Sequence, residues 1–80
     1  MKVRLLLFAQ YREWAGLDQL EFDLPARATA ADLMHRVRAE PGMARLPAVP
    51  AIAVNQVYAP LSALLSDGDE IALIPPVAGG

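Results

Sequence analysis

Gly79 and Gly80 close the chain directly behind Ile74-Pro75-Pro76-Val77-Ala78. Neither glycine carries a side chain, so a carboxylate at this end can pass a channel too narrow for other residues. Glycine's wide φ/ψ range also lets the tail bend as a partner requires. The prolines act the other way: each fixes φ and restricts the residue before it, so the stem reads as extended and stiff. At roughly 3.3 Å per residue, Pro75 to Gly80 spans on the order of 20 Å. A stiff stem with a bare tip suits a chain whose own terminal carboxylate is the working group. The plain alternative is a frayed end that does nothing, and the rest of the chain must decide between them.

Other candidate chemistry is thin. Ser62 and Ser66 have no histidine at a recognisable spacing, and the scattered carboxylates form no recognisable pair. His35, the lone histidine, lies between Met34 and Arg36 in a helical stretch and reads as a surface or boundary residue. With no cysteine, disulfides and thiolate metal sites are excluded. The net charge is −2 with no basic cluster, which argues against nucleic acid as a partner. No apolar run approaches the roughly 18 residues that cross a bilayer. The stretch from Lys2 to Phe8 is too short for a signal peptide and lacks a cleavage site. A cytoplasmic protein without a membrane partner is expected.

The elements that must position the tail can be read in order. Eighty residues, 55% of them hydrophobic and 20% charged, make one domain with ample core material for its size. We expect that domain to span residues 1–74, with 75–80 as an extended tail. Residues 2–9 read as a buried strand, dense in Val and Leu. Tyr11 to Ala15 suit one helical turn closed by Gly16. Leu20, Phe22 and Leu24 alternate with Glu21 and Asp23, marking a strand with one wet face. The two strands should pair as a hairpin through the Tyr11–Leu17 connection.

Thr29 suits an N-cap, with Asp32 completing a capping box. Leu33, Met34 and Val37 then give a helix its apolar stripe, which Pro41-Gly42 stops. Residues 43–50, with Pro47 and Pro50, read as loop. Ala51 to Asn55 form a short strand entering a turn at Asn55-Gln56. Leu61, Leu64 and Leu65 make a small apolar patch, a 3₁₀ turn or an extra short strand. Ser66-Asp67-Gly68-Asp69 is a strong turn signal. It launches a final strand, Glu70–Ile74, in which Ile71 and Leu73 share one face. The order is β-β-α-β-β, an α+β β-grasp with a mixed sheet packed on one main helix. If Ile74 closes a central strand, the stem leaves the sheet directly into solvent and displays the carboxylate.

With these elements in place, the chain resembles the MoaD family, the small sulfur-carrier subunit of molybdopterin synthase. The resemblance rests on Phe8-Ala9-Gln10, Arg12-Glu13, Gly16, Ala53-Val54-Asn55-Gln56, Leu65, Asp67-Gly68-Asp69-Glu70 and Pro75-Pro76-Val77-Ala78-Gly79-Gly80. A Gly-Gly end or an Asp-Gly-Asp turn alone is weak, but the ordered set covers essentially the whole chain and is specific. Ala78 stands where many relatives carry a hydroxyl residue, and the proline-rich stretch Leu46–Pro50 matches no pattern of the family.

The resemblance implies a ubiquitin-like β-grasp and chemistry at Gly80. An α-carboxyl group is ionised at neutral pH and is a poor electrophile. A ubiquitin-activating-like adenylyltransferase (MoeB-like) would use ATP to convert Gly80 to a glycyl adenylate. A sulfur donor would then yield the thiocarboxylate, 1-thioglycine. That sulfur would pass to precursor Z (cyclic pyranopterin monophosphate) in the molybdopterin synthase large subunit (MoaE-like), within a heterotetramer. The chain would be no catalyst alone and would bind no cofactor or metal, ATP and sulfur being used through the activating partner. Pro75, Pro76, Val77, Ala78 and Gly79 would thread the partner's site, and Phe8, Arg12, Tyr58 and Ile74 would contact it. Arg12 and Glu13 also suit a local ion pair. Two alternatives use the same tail: a ThiS-type carrier for thiazole synthesis, against which Pro75-Pro76-Val77 and Arg12-Glu13 stand, and a protein modifier joined through Gly80 to lysines. A β-grasp binding module with an idle tail is the third.

Overall fold

Seven elements follow from these patterns in the computed structural model, which describes residues 1–76. They are β1 (Lys2–Leu6), α1 (Ala9–Ala15), β2 (Gln19–Asp23), α2 (Ala30–Arg38), β3 (Ala51–Val54), β4 (Val57–Ala59) and β5 (Glu70–Ile74). The strands form one sheet in the order β2-β1-β5-β3-β4. β5 runs parallel to β1 and antiparallel to β3, and both outer pairs are antiparallel. This is the β-grasp expected, and its last strand is central.

Alternation along each strand decides which side chains meet the helix. Val3 and Leu5 of β1, Ile52 of β3, and Ile71 and Leu73 of β5 are buried against Leu33, Met34 and Val37 of α2. Met43, Leu46 and Leu65 from the loops close the same core. At about 25 cal/mol per Å² of apolar surface removed from water, such side chains contribute about 1.5–3 kcal/mol each. The helix they pack against is begun as its sequence predicts. The Asp32 amide donates to Thr29 Oγ1 (3.3 Å) while the Thr29 amide donates to Asp32 Oδ2 (2.8 Å), an arrangement worth about 1 kcal/mol.

Three boundaries differ from the reading of the sequence. β1 ends at Leu6 rather than at residue 9. Leu7 still pairs through its amide with the Asp18 carbonyl (2.9 Å), but Phe8 is the N-cap of α1 and Ala9 turns the chain at φ 48°. Unbroken apolar residues from Leu5 to Ala9 conceal that turn. The expected single helical turn is a two-turn helix, α1, whose buried residue is Tyr11 and whose C-cap is left-handed Gly16 (φ 73°). An extra strand does form, but as β4. Asn55 and Gln56 both adopt left-handed φ (50° and 72°), the geometry of a two-residue hairpin turn. Leu64 makes only an isolated bridge to Thr29.

Gly42 locks α1 to the end of α2. Its φ is 84°, and a Cβ there would lie 2.0 Å from the Trp14 carbonyl oxygen. Arg45, on the loop that follows, places its guanidinium 4.2 Å from the centre of the Trp14 ring. Among the described residues no helix is long and apolar enough to cross a membrane.

Candidate functional site

β5 positions the tail. Because it is parallel to β1, its C-terminal end lies at the same end of the sheet as Phe8 and α1. Leu6 pairs with Ala72, and Phe8 and Ile74 each follow that pair by two residues, Phe8 beyond the end of β1 and Ile74 at the end of β5. Beyond Ile74, Pro75 is half-buried and Pro76 is exposed. Val77, Ala78, Gly79 and Gly80, which the sequence singles out for threading and for chemistry, lie outside the described residues.

The sheet face away from α2 is apolar at this end. A cross-strand row runs Leu6–Ala72–Ala53–Tyr58, and Ala51 pairs with Ile74 beside it. The two central alanines make the row shallow, and Leu6, Ile74 and Tyr58 border it. Tyr58 is 76% exposed and Phe8 46%. Large apolar groups exposed at one end of a sheet are typical of surfaces that partners cover. Aromatic residues are also the commonest anchors of such contacts.

The same face is charged at its other end. Arg4 lies between Glu21 and Glu70 in register and bonds Glu70 Oε2 at 2.7 Å. Arg12 and Glu13 form no ion pair with one another, contrary to the expectation. Both are exposed on α1, where they line a separate depression with Gly16, Leu17 and Asp18. Helix geometry explains this: adjacent residues point about 100° apart, so i and i+1 side chains do not face each other. Of the four contact residues expected, the structure brings Phe8, Tyr58 and Ile74 to the end that carries the tail, and Arg12 to a neighbouring depression.

Sequence reasoning missed the residues that complete this end. Leu6, Ala53 and Ala72 belong to runs so uniformly apolar that strand register alone reveals which of them faces outward. From the sequence, Tyr11 and the Pro47–Pro50 loop read as local structure. Yet together with Tyr58, Ile74, Pro75 and Pro76 they line one groove of about 390 Å³. Among the described residues no charged side chain lines it. The only signal in the sequence was the oddity of that proline-rich loop.

Comparison with known proteins agrees with this geometry. The model of the ThiS family matches residues 5–80. The molybdopterin synthase sulfur carrier subunit of Chlamydomonas reinhardtii is 36% identical over the full length of both chains. Among solved structures, a putative molybdopterin converting factor subunit 1 from Pyrococcus furiosus superposes with TM-score 0.83 at 30% identity, covering 96% of this chain and 99% of its own. Small archaeal modifier protein 1 of Methanosarcina acetivorans gives 0.82 at 26%, covering 99% and 96%. A complex of subunits 1 and 2 of the molybdopterin-converting factor from Helicobacter pylori gives 0.73 at 27%, with both chains fully covered. The chain belongs to the ThiS family of ubiquitin-like proteins and, within it, to the MoaD-type sulfur carrier subunits of molybdopterin synthase.

Proposed function

We propose that this chain carries sulfur for molybdenum cofactor biosynthesis on the carboxyl group of Gly80, acting in the cytoplasm. A carboxylate oxygen attacks the α-phosphorus of ATP on an adenylating partner, releasing pyrophosphate and leaving a glycyl adenylate. A sulfur donor then displaces AMP, and the terminus becomes a thiocarboxylate. Sulfur is the better nucleophile, so the tail's sulfur attacks a carbon of the pterin precursor within a large-subunit partner and displaces an oxygen there. Water then hydrolyses the thioester so formed, leaving sulfur on the pterin and returning the tail as its carboxylate. Two such deliveries build the dithiolene of molybdopterin.

The observation that carries this reading is the course of β5. A central strand, gripped by β1 and β3, runs without a loop into Pro75-Pro76 beside a groove that, among the described residues, no charged side chain lines. A rigid base under a stiff stem limits the orientational freedom lost when the tip enters a narrow site. The relatives named as sulfur carrier subunits and the Helicobacter pylori complex support the assignment of partner.

The test is intact mass after incubation with an adenylating enzyme, ATP and a sulfur source, with and without a thiol alkylator. Exchange of oxygen for sulfur nearly matches oxidation of a methionine, so mass alone is ambiguous. The chain has no cysteine, so a fast single alkyl adduct on the terminal peptide identifies the thiocarboxylate. No adduct and no adenylate would overturn the proposal. The likeness to small archaeal modifier protein 1 favours a second reading, attachment through Gly80 to lysines of other proteins. An adenylate without sulfur, together with an isopeptide bond at Gly80, would establish that reading instead.

A further inference from the structure

An activated Gly80 is an acyl electrophile, and amines capture such a group permanently as amides. Of the seven cationic side chains, six are arginine and one, Lys2, is lysine; there is no cysteine. A guanidinium stays protonated at any ordinary pH and offers no lone pair, whereas an ammonium can release a nucleophilic amine. The fold does not demand arginine throughout. Arg4 bonds Glu70 Oε2 from an exposed position, and Arg45 lies over the Trp14 ring; lysine makes both kinds of contact. Arg12 and Arg27 are exposed. The fork of Arg38 is used, its Nη2 donating to the carbonyl oxygens of Pro47 and Ala48, the latter at 3.1 Å.

The sheet sets Lys2 far from the tail. β1 and β5 are parallel with Arg4 level with Glu70, and the Gly68 amide bonds the Lys2 carbonyl, so Lys2 lies level with Gly68, well behind Ile74. At roughly 3.3 Å per residue, the six residues between those levels span about 20 Å. Pro75 and Pro76 carry the chain beyond Ile74, and the four residues after them reach at most about 14 Å. Even with the lysine side chain added, Gly80 does not reach Lys2 of its own chain. The α-amino group of Met1 is at that same far end, half-buried and donating to the Leu24 carbonyl oxygen (2.7 Å). Among the described residues, the groove beside the stem contains no amine. Burial raises the Tyr11 phenol there above its ordinary range, which keeps it protonated and a poor nucleophile.

We infer that Lys2 is the one side chain of this protein that an activated glycyl terminus acylates, that it does so only between two copies, and that arginine elsewhere keeps the terminus free for sulfur. The unprotonated ε-amine of one copy attacks the carbonyl carbon of the glycyl adenylate of another. The bond from that carbon to the phosphate oxygen breaks, AMP leaves with the electron pair, and the nitrogen gives up a proton to water. The product is a head-to-tail pair joined by an isopeptide bond. Its formation requires two chains to meet, so at low concentration the adenylate outlasts it and sulfur arrives first. The inference rests on the adenylation of Gly80 that the carrier reading proposes.

The experiment incubates the full chain and its Lys2→Arg and Val49→Lys variants with the adenylating enzyme and ATP, without and then with a sulfur source, followed by intact mass and peptide mapping. Without sulfur, the parent should give a pair of chains less one water, mapped between Gly80 and Lys2, in a yield that rises with chain concentration. Lys2→Arg should give no pair. Val49 is 78% exposed and lies beside the stem, so Val49→Lys offers an amine there without disturbing the core. It should yield a single chain less one water, closed between the tail and the introduced amine. With sulfur present, its thiocarboxylate should fall at least about threefold below the parent's, because an amine on the same chain competes at high effective concentration. Ala51→Lys, level with Ile74, repeats the test at a second exposed position. An internally closed parent chain, a pair that persists in Lys2→Arg, or no pair at any concentration overturns the proposal. So does parent-like thiocarboxylate, with no internal amide, from both lysine variants. A parent that forms the pair but never acquires sulfur would sink the carrier reading alone.

Discussion

The two ends of β5, Glu70 and Ile74, are four residues apart and differ in what their side chains are for. At the N-terminal end a set of polar groups bond one another. The Lys2 amide donates to Asp67 Oδ1 (2.7 Å), and the Gly68 amide to the Lys2 carbonyl (2.7 Å). Asp69 accepts from the Ser66 amide (2.7 Å) and from Asn55 Nδ2 (2.9 Å), while the Glu70 amide donates to Asn55 Oδ1 (3.0 Å). The Asp-Gly-Asp turn and the Asn55-Gln56 turn are thus one staple joining β1, β3 and β5. Gly68 is needed there for its φ of 86° rather than for space, since nothing would meet its Cβ. At the C-terminal end the described side chains are mostly apolar, and several are half-exposed or exposed. A polar end satisfied from within anchors the strand; an apolar end left open faces a partner.

Variants at the two ends should therefore fail in different assays. The largest effect is expected from deleting Gly80: sulfur acquisition is abolished while the melting temperature and large-subunit binding stay nearly as in the parent. Sulfur transfer by the truncated chain would break the comparison at its functional end. Next, Tyr58→Asp should weaken the large-subunit complex by about 30-fold, the cost of losing an aromatic anchor of about 2 kcal/mol. Because Tyr58 is exposed, thermal unfolding should hardly move, and a large drop in melting temperature would show that the residue belongs to the fold.

Asp69→Ala tests the anchored end. It leaves the Ser66 amide and the Asn55 amide group without their acceptor, at about 1–3 kcal/mol, which for a domain of this size lowers the melting temperature by several degrees. Sulfur acquisition measured well below that temperature should persist; its loss would mean that the staple also serves the tail. The smallest effect belongs to Arg4→Met. The pair with Glu70 is solvent-exposed, with the Arg4 side chain 49% accessible, so denaturant unfolding should register under about 1 kcal/mol. A larger loss would show that the charged end relies on this ion pair as well as on its hydrogen bonds.

Much of the fold was legible because it depends on local chemistry. The capping box at Thr29 and Asp32, the left-handed closures at Gly16 and Gly68, and the alternation in β2 and β5 each follow from a few neighbouring residues. The length of β1 was not legible, since Leu5 to Ala9 is apolar throughout and carries no sign of the turn at Ala9. The site divided the same way. Phe8, Tyr58 and Ile74 could be named from the sequence, but Tyr11 could not, because an aromatic residue inside a short helix reads as core and only the fold brings it beside the stem.

The sequence by itself determined the one-domain class, the element order, the cysteine-free composition and the Pro-Pro stem before Gly-Gly, all of which depend on residue type and spacing along the chain. Only the tertiary structure decided that β5 lies between β1 and β3, which side of each apolar run faces outward, and that a loop thirty-six residues from Tyr11 closes a groove against it. Those are pairings between segments far apart in sequence. They are set by the register in which the sheet closes over α2, because a slip of one residue would turn every buried side chain of a strand to the opposite face.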